Sequence, residues 1–242
     1  MTRVGVSQFP GGQVATTKQL ICLANSRKHR GRCIAGIDIK SNTWIRPISS
    51  RPGHEVSESE RTYQNGAEPR MLDVISMQLL RPRQSGYQRE NWILDSSVRW
   101  TKLGQIGWAD LYRMEQHPTQ LWINSGDSTA RGLNDRVPVE REGEITDSLK
   151  LIRVDSLRIT VGRPYDANRD LDVRAEFRHA GSDYILKVTD SIYEEKFRKR
   201  GIGTYRLGES FLTVSLGEEF KGYLYKMVAA IIERRQANVG SR

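Results

Sequence analysis

From residue 19 to residue 232 the apolar residues fall in short runs cut by Gly, Pro, Asn, Ser and Asp, and no long amphipathic helix recurs between them. That pattern lacks the strand–helix–strand rhythm of a parallel sheet, so small β-barrels are the architecture that fits it. Gln19–Ala24 opens the series. Cys33–Lys40 and Thr43–Ile48 flank the turn Ser41-Asn42 as a hairpin, with Pro47 ending its second arm. Met71–Leu80 is β-like and is closed by Arg81-Pro82, because proline cannot donate to a ladder. In the second half Leu149–Val161 alternates, with Leu151, Val154, Leu157, Ile159 and Val161 as its apolar positions. Val173–Phe177 and Tyr184–Val188 form a hairpin around Gly181, and Phe211–Leu216 and Tyr223–Ile232 are two further strands. Tyr193–Arg200 reads as a short amphipathic helix stopped by Gly201 and Gly203.

Two stretches depart from this reading. Residues 50–70, rich in Pro, Gly, Ser and Glu, are expected to be a surface excursion. Glu90–Trp122 holds Trp92, Trp100, Trp108 and Trp122, four of the chain's five tryptophans, at the spacing of short helices, and these rings are expected to anchor a core. Residues 124–144 are polar, and the link between two units is placed at their end. The division expected for the 242 residues is a tail at 1–18, a first barrel with a helical insertion at 19–144, a second barrel at 145–233, and a basic tail at 234–242. The expected fold class is mainly β, two small barrels in tandem with short helices.

Charge is unevenly spread. Residues 18–51 carry eight Lys or Arg against one acid, Asp38, a surplus of seven in a chain whose formal net charge is +9. These cations sit among strands rather than in a disordered tail. Together with Trp44 they suit a polyanion with stackable bases better than a membrane; the alternative is a plain solvated basic face. Two cysteines, Cys22 and Cys33, without a Cys-x-x-Cys, and a start without an apolar leader, point to a reduced, cytoplasmic protein with no membrane span.

Catalytic motifs are sparse. Ile37-Asp38-Ile39-Lys40 matches half of a restriction-type nuclease motif, but no acid precedes Asp38, whose expected role is an ion pair with nearby cations. His29, His54, His117 and His179 are scattered, and His29 with Cys33 is too little for zinc. Gly201-Ile202-Gly203 lacks the third glycine of a dinucleotide loop. No metal, cofactor or catalytic residue is assigned.

Seven strings then stand out in order: Cys22–Lys28, Cys33–Gly36, Trp44–Pro47, Glu90–Trp92, Val188–Asp190, Val214–Glu218 and Tyr225–Ile232. With this spacing the chain resembles the dual OB-containing domain family of bacteria over roughly residues 19–233. The resemblance implies two OB barrels and a nucleic-acid-related role beside partner proteins of a bacterial defence or nucleoprotein assembly; it carries over no activity. In an OB barrel cations follow the phosphates and rings stack on bases. The candidate nucleic-acid contacts are therefore Arg27, Lys28, Arg30, Arg32, Trp44, Arg46 and Asn91 in the first barrel, and Lys199, Arg200 and Lys226 in the second. Trp44 is equally a core residue, Asn91 a helix cap, and Lys199 and Arg200 the solvated face of a short helix. Arg46 either reaches the ligand or is held by a carboxylate, Asp73 or Glu90. A protein-interaction adaptor is the first alternative function. The second is an enzyme on nucleic acid or a nucleotide, its site assembled from Asp190, Ser215, Glu218 and Lys226.

Overall fold

The alternation that begins at Thr16 builds β1 (Thr16–Lys28), followed by β2 (Gly31–Asp38), β3 (Trp44–Ile48), β4 (Asp73–Pro82), β5 (Asn91–Leu94) and β6 (Thr101–Gln105). The structure is a computed structural model that describes residues 15–28, 31–164 and 170–234, so most of both expected tails lies outside the described residues. The strands order as β1-β2-β3-β5-β4, and β4 pairs back onto β1, with Leu20 opposite Ile75, so five strands close a barrel. β3 and β5 run parallel, with Arg46 opposite Asn91; the other pairs in this sheet are antiparallel, and β6 adds to β4. Leu20, Cys22, Ile34, Ile45, Ile75 and Met77 fill the interior.

Close approach of β1 and β2 is possible because residue 36 has no side chain. A Cβ built on Gly36 would stand 2.1 Å from the Ile21 carbonyl oxygen. One residue on, β1 slips register between Cys22 and Ala24. Such a bulge turns an extra residue to the other face, and Leu23 packs away from the barrel interior, against the second half of the chain.

The second half contains α2 (Trp108–Leu111), β7 (Arg136–Pro138), a 3-10 helix (Val139–Glu144), β8 (Leu149–Val154), β9 (Leu157–Gly162), β10 (Asp172–His179), β11 (Ser182–Val188), α3 (Ser191–Arg200), β12 (Gly203–Leu207), β13 (Ser210–Phe220) and β14 (Tyr223–Glu233). Its sheet order is β12-β9-β10-β11-β14-β13-β8. Val161 faces Gly203, Leu157 faces Leu207, Val154 faces Ser210 and Leu149 faces Ser215, all on one antiparallel register. β8 with β9, and β12 with β13, are thus two bent strands broken at Asp155-Ser156 and Gly208-Glu209, and through them the sheet closes on itself. The parallel pair is β11 with β14, and α3 occupies the same place in the order as α1 (Glu58–Arg61) between β3 and β4. Both halves therefore follow one strand order, and the chain is mainly β with two OB-like barrels, as expected. Leu157, Ile159, Ala175, Leu186, Phe197 and Val228 are central in the second core.

Several local expectations are corrected. Within 50–70, Val56 and Tyr63 are fully buried in the first core, and Tyr63 donates to Asp73 at 2.9 Å. Two apolar residues among polar ones are enough to anchor a connection that composition alone marks as surface. Trp92 lies in β5 and Trp100 is bridged to Tyr63, so the helical spacing between these tryptophans came from residues on different strands. Within that stretch only the single turn Trp108–Leu111 is α-helical. The polar segment beyond it packs on the second half: Leu121 lies in the second core, β7 pairs with β14, and Leu133 bridges Ile185.

The barrels meet at an apolar seam, with Ile21, Leu23 and Leu72 on one side, Leu151, Phe211 and Ile232 on the other, and Trp108 and Leu111 between. Trp108 and Phe211 meet edge to face at 4.9 Å. Among the described residues no helix is long and apolar enough to cross a membrane. Gly36→Ala is expected to force β1 and β2 apart and to cost about 1–3 kcal/mol, read as a lowered urea midpoint at unchanged slope.

Candidate functional site

Beside the seam the barrels leave a cleft. Its first-barrel wall comes from the end of β1 with Arg27, the start of β2 with Arg32, from β3, and from the β4–β5 connection with Gln88; its second-barrel wall is Thr189, residues Ser215–Glu218 of β13, and Met227 of β14. The space holds about 170 Å³. It is continuous with a second hollow of about 260 Å³, which shares His54, Gln88, Asn91 and Glu218 and adds Arg83, Glu142 and Glu219.

Local backbone irregularity shapes both walls. β13 slips register between Leu216 and Glu219, which sets Gly217 and Glu218 into the cleft, and the Tyr87 hydroxyl donates to the Gly217 carbonyl at 2.5 Å. His54 has a left-handed backbone (φ 58) and its Nδ1 lies 3.1 Å from the Ser49 carbonyl. A non-glycine residue held there needs surrounding structure to keep it.

A buried polar network lies at the base of the cleft. Arg46 is 6% exposed, and its Nη2 lies 2.9 Å from Glu90 Oε1 and donates to Ser148 Oγ at 2.8 Å. Nη1 donates to Asn91 Oδ1 at 3.3 Å, and Ser148 in turn donates to Glu90. Of the two carboxylates expected for Arg46, Glu90 is the partner. Arg46 still lines the cleft, and among the described residues its buried Nε has no hydrogen-bond partner. Asn91, also buried, orients Arg46 and donates to Gln88 at 3.1 Å.

The rim holds the exposed cations. Arg27 is exposed, its backbone N–H donating to the Thr189 carbonyl at 3.1 Å. Arg32 is half-buried and donates to Ser191 at the start of α3; burial pulls its guanidinium below its ordinary value, and Arg61 adds to that. Lys28 ends β1, and Arg30 lies outside the described residues.

The remaining candidates lie elsewhere. Trp44 is half-buried in the seam, donating from Nε1 to Gln116 Oε1 at 3.0 Å, and so is no open stacking platform. Lys199 pairs with Glu195 at 2.6 Å on the outer face of α3, and Arg200 lies over the Phe197 and Tyr205 rings. Lys226 is 1% exposed inside the second barrel, donating to the Ile123 carbonyl and to Asn124 Oδ1, each at 2.8 Å. Placing Lys226 on a binding face is therefore corrected: β14 alternates, and residue 226 shares the inward parity of Leu224 and Val228.

The residues of the enzymatic alternative do not assemble. Asp190 caps α3, accepting from Ile192, Tyr193 and Ile231 N–H groups; burial pushes its carboxyl up to about 6 against those bonds. Only Ser215 and Glu218 of that group reach the cleft. Asp38 is buried and paired with Lys18 at 3.0 Å; burial raises its carboxyl, but hydrogen bonds from Ser41 and Lys18 outweigh that and hold it below its ordinary value. Sequence reasoning missed Arg83, Gln88 and His54. The signal for Arg83 was Arg81-Pro82-Arg83, cations displayed just past a strand end.

The profile of the dual OB-containing domain matches residues 18–231 of the chain. No curated protein matches it. Among solved structures, the crystal structure of the tetrameric p202 HIN2 aligns over 90% of this chain and 96% of that one, at 8% identity and a TM-score of 0.28, too low to carry an argument.

Arg46→Ala leaves Glu90 buried without its cation and is expected to cost about 3–5 kcal/mol, with much of the loss recovered in an Arg46→Met, Glu90→Leu double variant; thermal melts check both. For Lys226, burial lowers the ammonium to about 7 from 10.5. Between those values the unfolded chain binds more protons than the folded one, so stability rises with pH. Lys226→Met is expected to abolish the part of that rise measured by urea unfolding between about pH 7 and about pH 10.

Proposed function

Because this chain belongs to the dual OB-containing domain family, we propose that it binds single-stranded nucleic acid in the cleft between its barrels. One observation carries the reading. In OB folds oligonucleotides lie across strands two and three, between the loop that joins strands one and two and the loop that joins strands four and five. In the first barrel those are the connection between β1 and β2, whose flanking strand residues Arg27 and Arg32 line this cleft, and the β4–β5 connection, which brings Gln88 to the cleft and Arg83 to the adjoining hollow.

Chemistry supports the same ligand. Arg27 and Arg83 are exposed point contacts for phosphate, and a narrow, partly apolar floor between Pro47, Ile48 and Met227 suits an unpaired base rather than a duplex. Gln88 presents an amide at the wall, a group that can read a base edge. The role proposed is binding without catalysis, as a cytoplasmic module beside partner proteins in a bacterial nucleoprotein or defence assembly, the setting that the family resemblance implies.

Fluorescence anisotropy with a labelled single-stranded oligonucleotide tests this. Binding is expected at ~50 mM salt, with log affinity falling linearly in log salt by about 0.7 per phosphate contacted. Arg27→Ala and Arg83→Ala are each expected to weaken binding and to flatten the slope by roughly one contact. Absence of binding by the wild-type chain at ~50 mM salt overturns the proposal.

A further inference from the structure

The outward face of β14 runs out of the cleft. Along this strand Leu224, Lys226 and Val228 point inward, while Tyr223, Tyr225 and Met227 remain partly exposed on the opposite face. Met227 is a cleft residue; Tyr225 and Tyr223 follow it at two-residue steps toward the strand's start. The hairpin that joins β13 to β14 then adds Phe220, 59% exposed. Its ring centroid lies 6.2 Å from that of Tyr225, and Tyr225 lies 6.5 Å from Tyr223. The two turn residues, Lys221 and Gly222, both have positive φ (54 and 79), the type I′ geometry of a tight two-residue loop, so Phe220 is displayed on a rigid support.

Cations flank this row of rings. Lys187 of β11 is exposed and stands in register with Met227, and Arg136 of β7 stands opposite Tyr225. The Arg136 guanidinium lies 3.9 Å over the Tyr223 ring, and among the described residues its buried Nε has no hydrogen-bond partner. Lys221 sits 5.5 Å over Phe220. Cations beside partly exposed aromatic rings match what single strands require: rings for bases, cations for the backbone between them.

We propose that Tyr225, Tyr223 and Phe220 form a base-stacking strip, flanked by Lys187 and Arg136, that extends the cleft and takes the unpaired bases of a strand leaving it. The strip rests on the reading of the cleft as a nucleic-acid site, adding to it a longer footprint and a direction of exit. It discriminates little between bases, because every base has a ring face. It excludes a continuous duplex, whose bases are already stacked.

The test compares oligothymidylates of two lengths, about 4 and about 16 nucleotides, the range that one OB fold covers. Phe220→Ala and Tyr225→Ala are each expected to weaken the longer strand by about fivefold or more while leaving the shorter strand and the salt slope unchanged. Tyr225→Phe keeps the ring and is expected to bind as wild type. As a readout that needs no variant, an iodouracil-substituted strand irradiated on the wild-type chain is expected to crosslink within residues 220–225. Wild-type affinity of both alanine variants for the longer strand, together with crosslinks confined to the cleft and with Arg27→Ala still impaired, overturns the strip alone. No binding by the wild-type chain at ~50 mM salt overturns the cleft and the strip together.

Discussion

A buried guanidinium–carboxylate pair, Arg46 with Glu90, stands where the two barrels meet, and the cleft takes its shape from the way that pair is satisfied. Removing two charges from water costs several kcal/mol per ion, which their mutual attraction offsets only when the remaining hydrogen-bonding sites are filled. Asn91 fills one from the neighbouring parallel strand. Ser148 fills another from just before β8, and it bonds to both ions. The pair is therefore completed only when the second barrel is in place, so it fixes where that barrel sits.

Around this polar joint the seam is apolar, and two register slips adapt regular strands to it. The slip in β1 carries Leu23 into the seam, where its carbonyl also accepts from Thr213. The slip in β13 sets Gly217 and Glu218 into the cleft wall. Each interrupts a ladder that would otherwise be continuous, and bulges beside a site re-aim side chains in this manner. The bends at Asp155-Ser156 and Gly208-Glu209 serve a different end, letting the seven strands β8 to β14 close as a five-strand barrel.

The cations divide into two populations. Arg46 and Lys226 are internal: one is neutralised by Glu90, the other donates to a carbonyl and an amide over the Tyr184 ring, and it is burial that makes its ammonium so easily deprotonated. Arg27, Arg83 and Lys187 stand at the surface, where a charge keeps its hydration and remains available to a phosphate. The cleft is also polar along its length, with Arg27 and Arg32 toward one end and Glu142, Glu218 and Glu219 in the adjoining hollow. Arg83 is the cation at that second hollow, and the outer face of β14 is the course along which rings and cations occur together.

How much could be read in the chain before its structure follows from the range of the forces involved. Short apolar runs with Gly, Asn and Pro between them settle that the chain is mainly β, and Gly181 or Ser41-Asn42 mark hairpins because turn geometry is a local property. The basic turn at Arg27 and Arg32 was legible for the same reason. Trp92 and Trp100 were not: their spacing mimics a helix, and only the pairing of β5 with β3 and the bridge to Tyr63 place Trp92 in a strand and Trp100 beside one. Val56 and Tyr63 reached a core through contacts that composition does not encode. Lys226 and Arg46 look alike in sequence to Arg27, yet the parity of β14 buries one and the arrival of Ser148 completes the other. The sequence by itself determined the strands, the turns and the basic surplus, since these depend on neighbours along the chain. Which cations remained outside, and that two barrels would enclose a cleft, was decided only by tertiary structure, because burial and pairing depend on residues brought together from far apart.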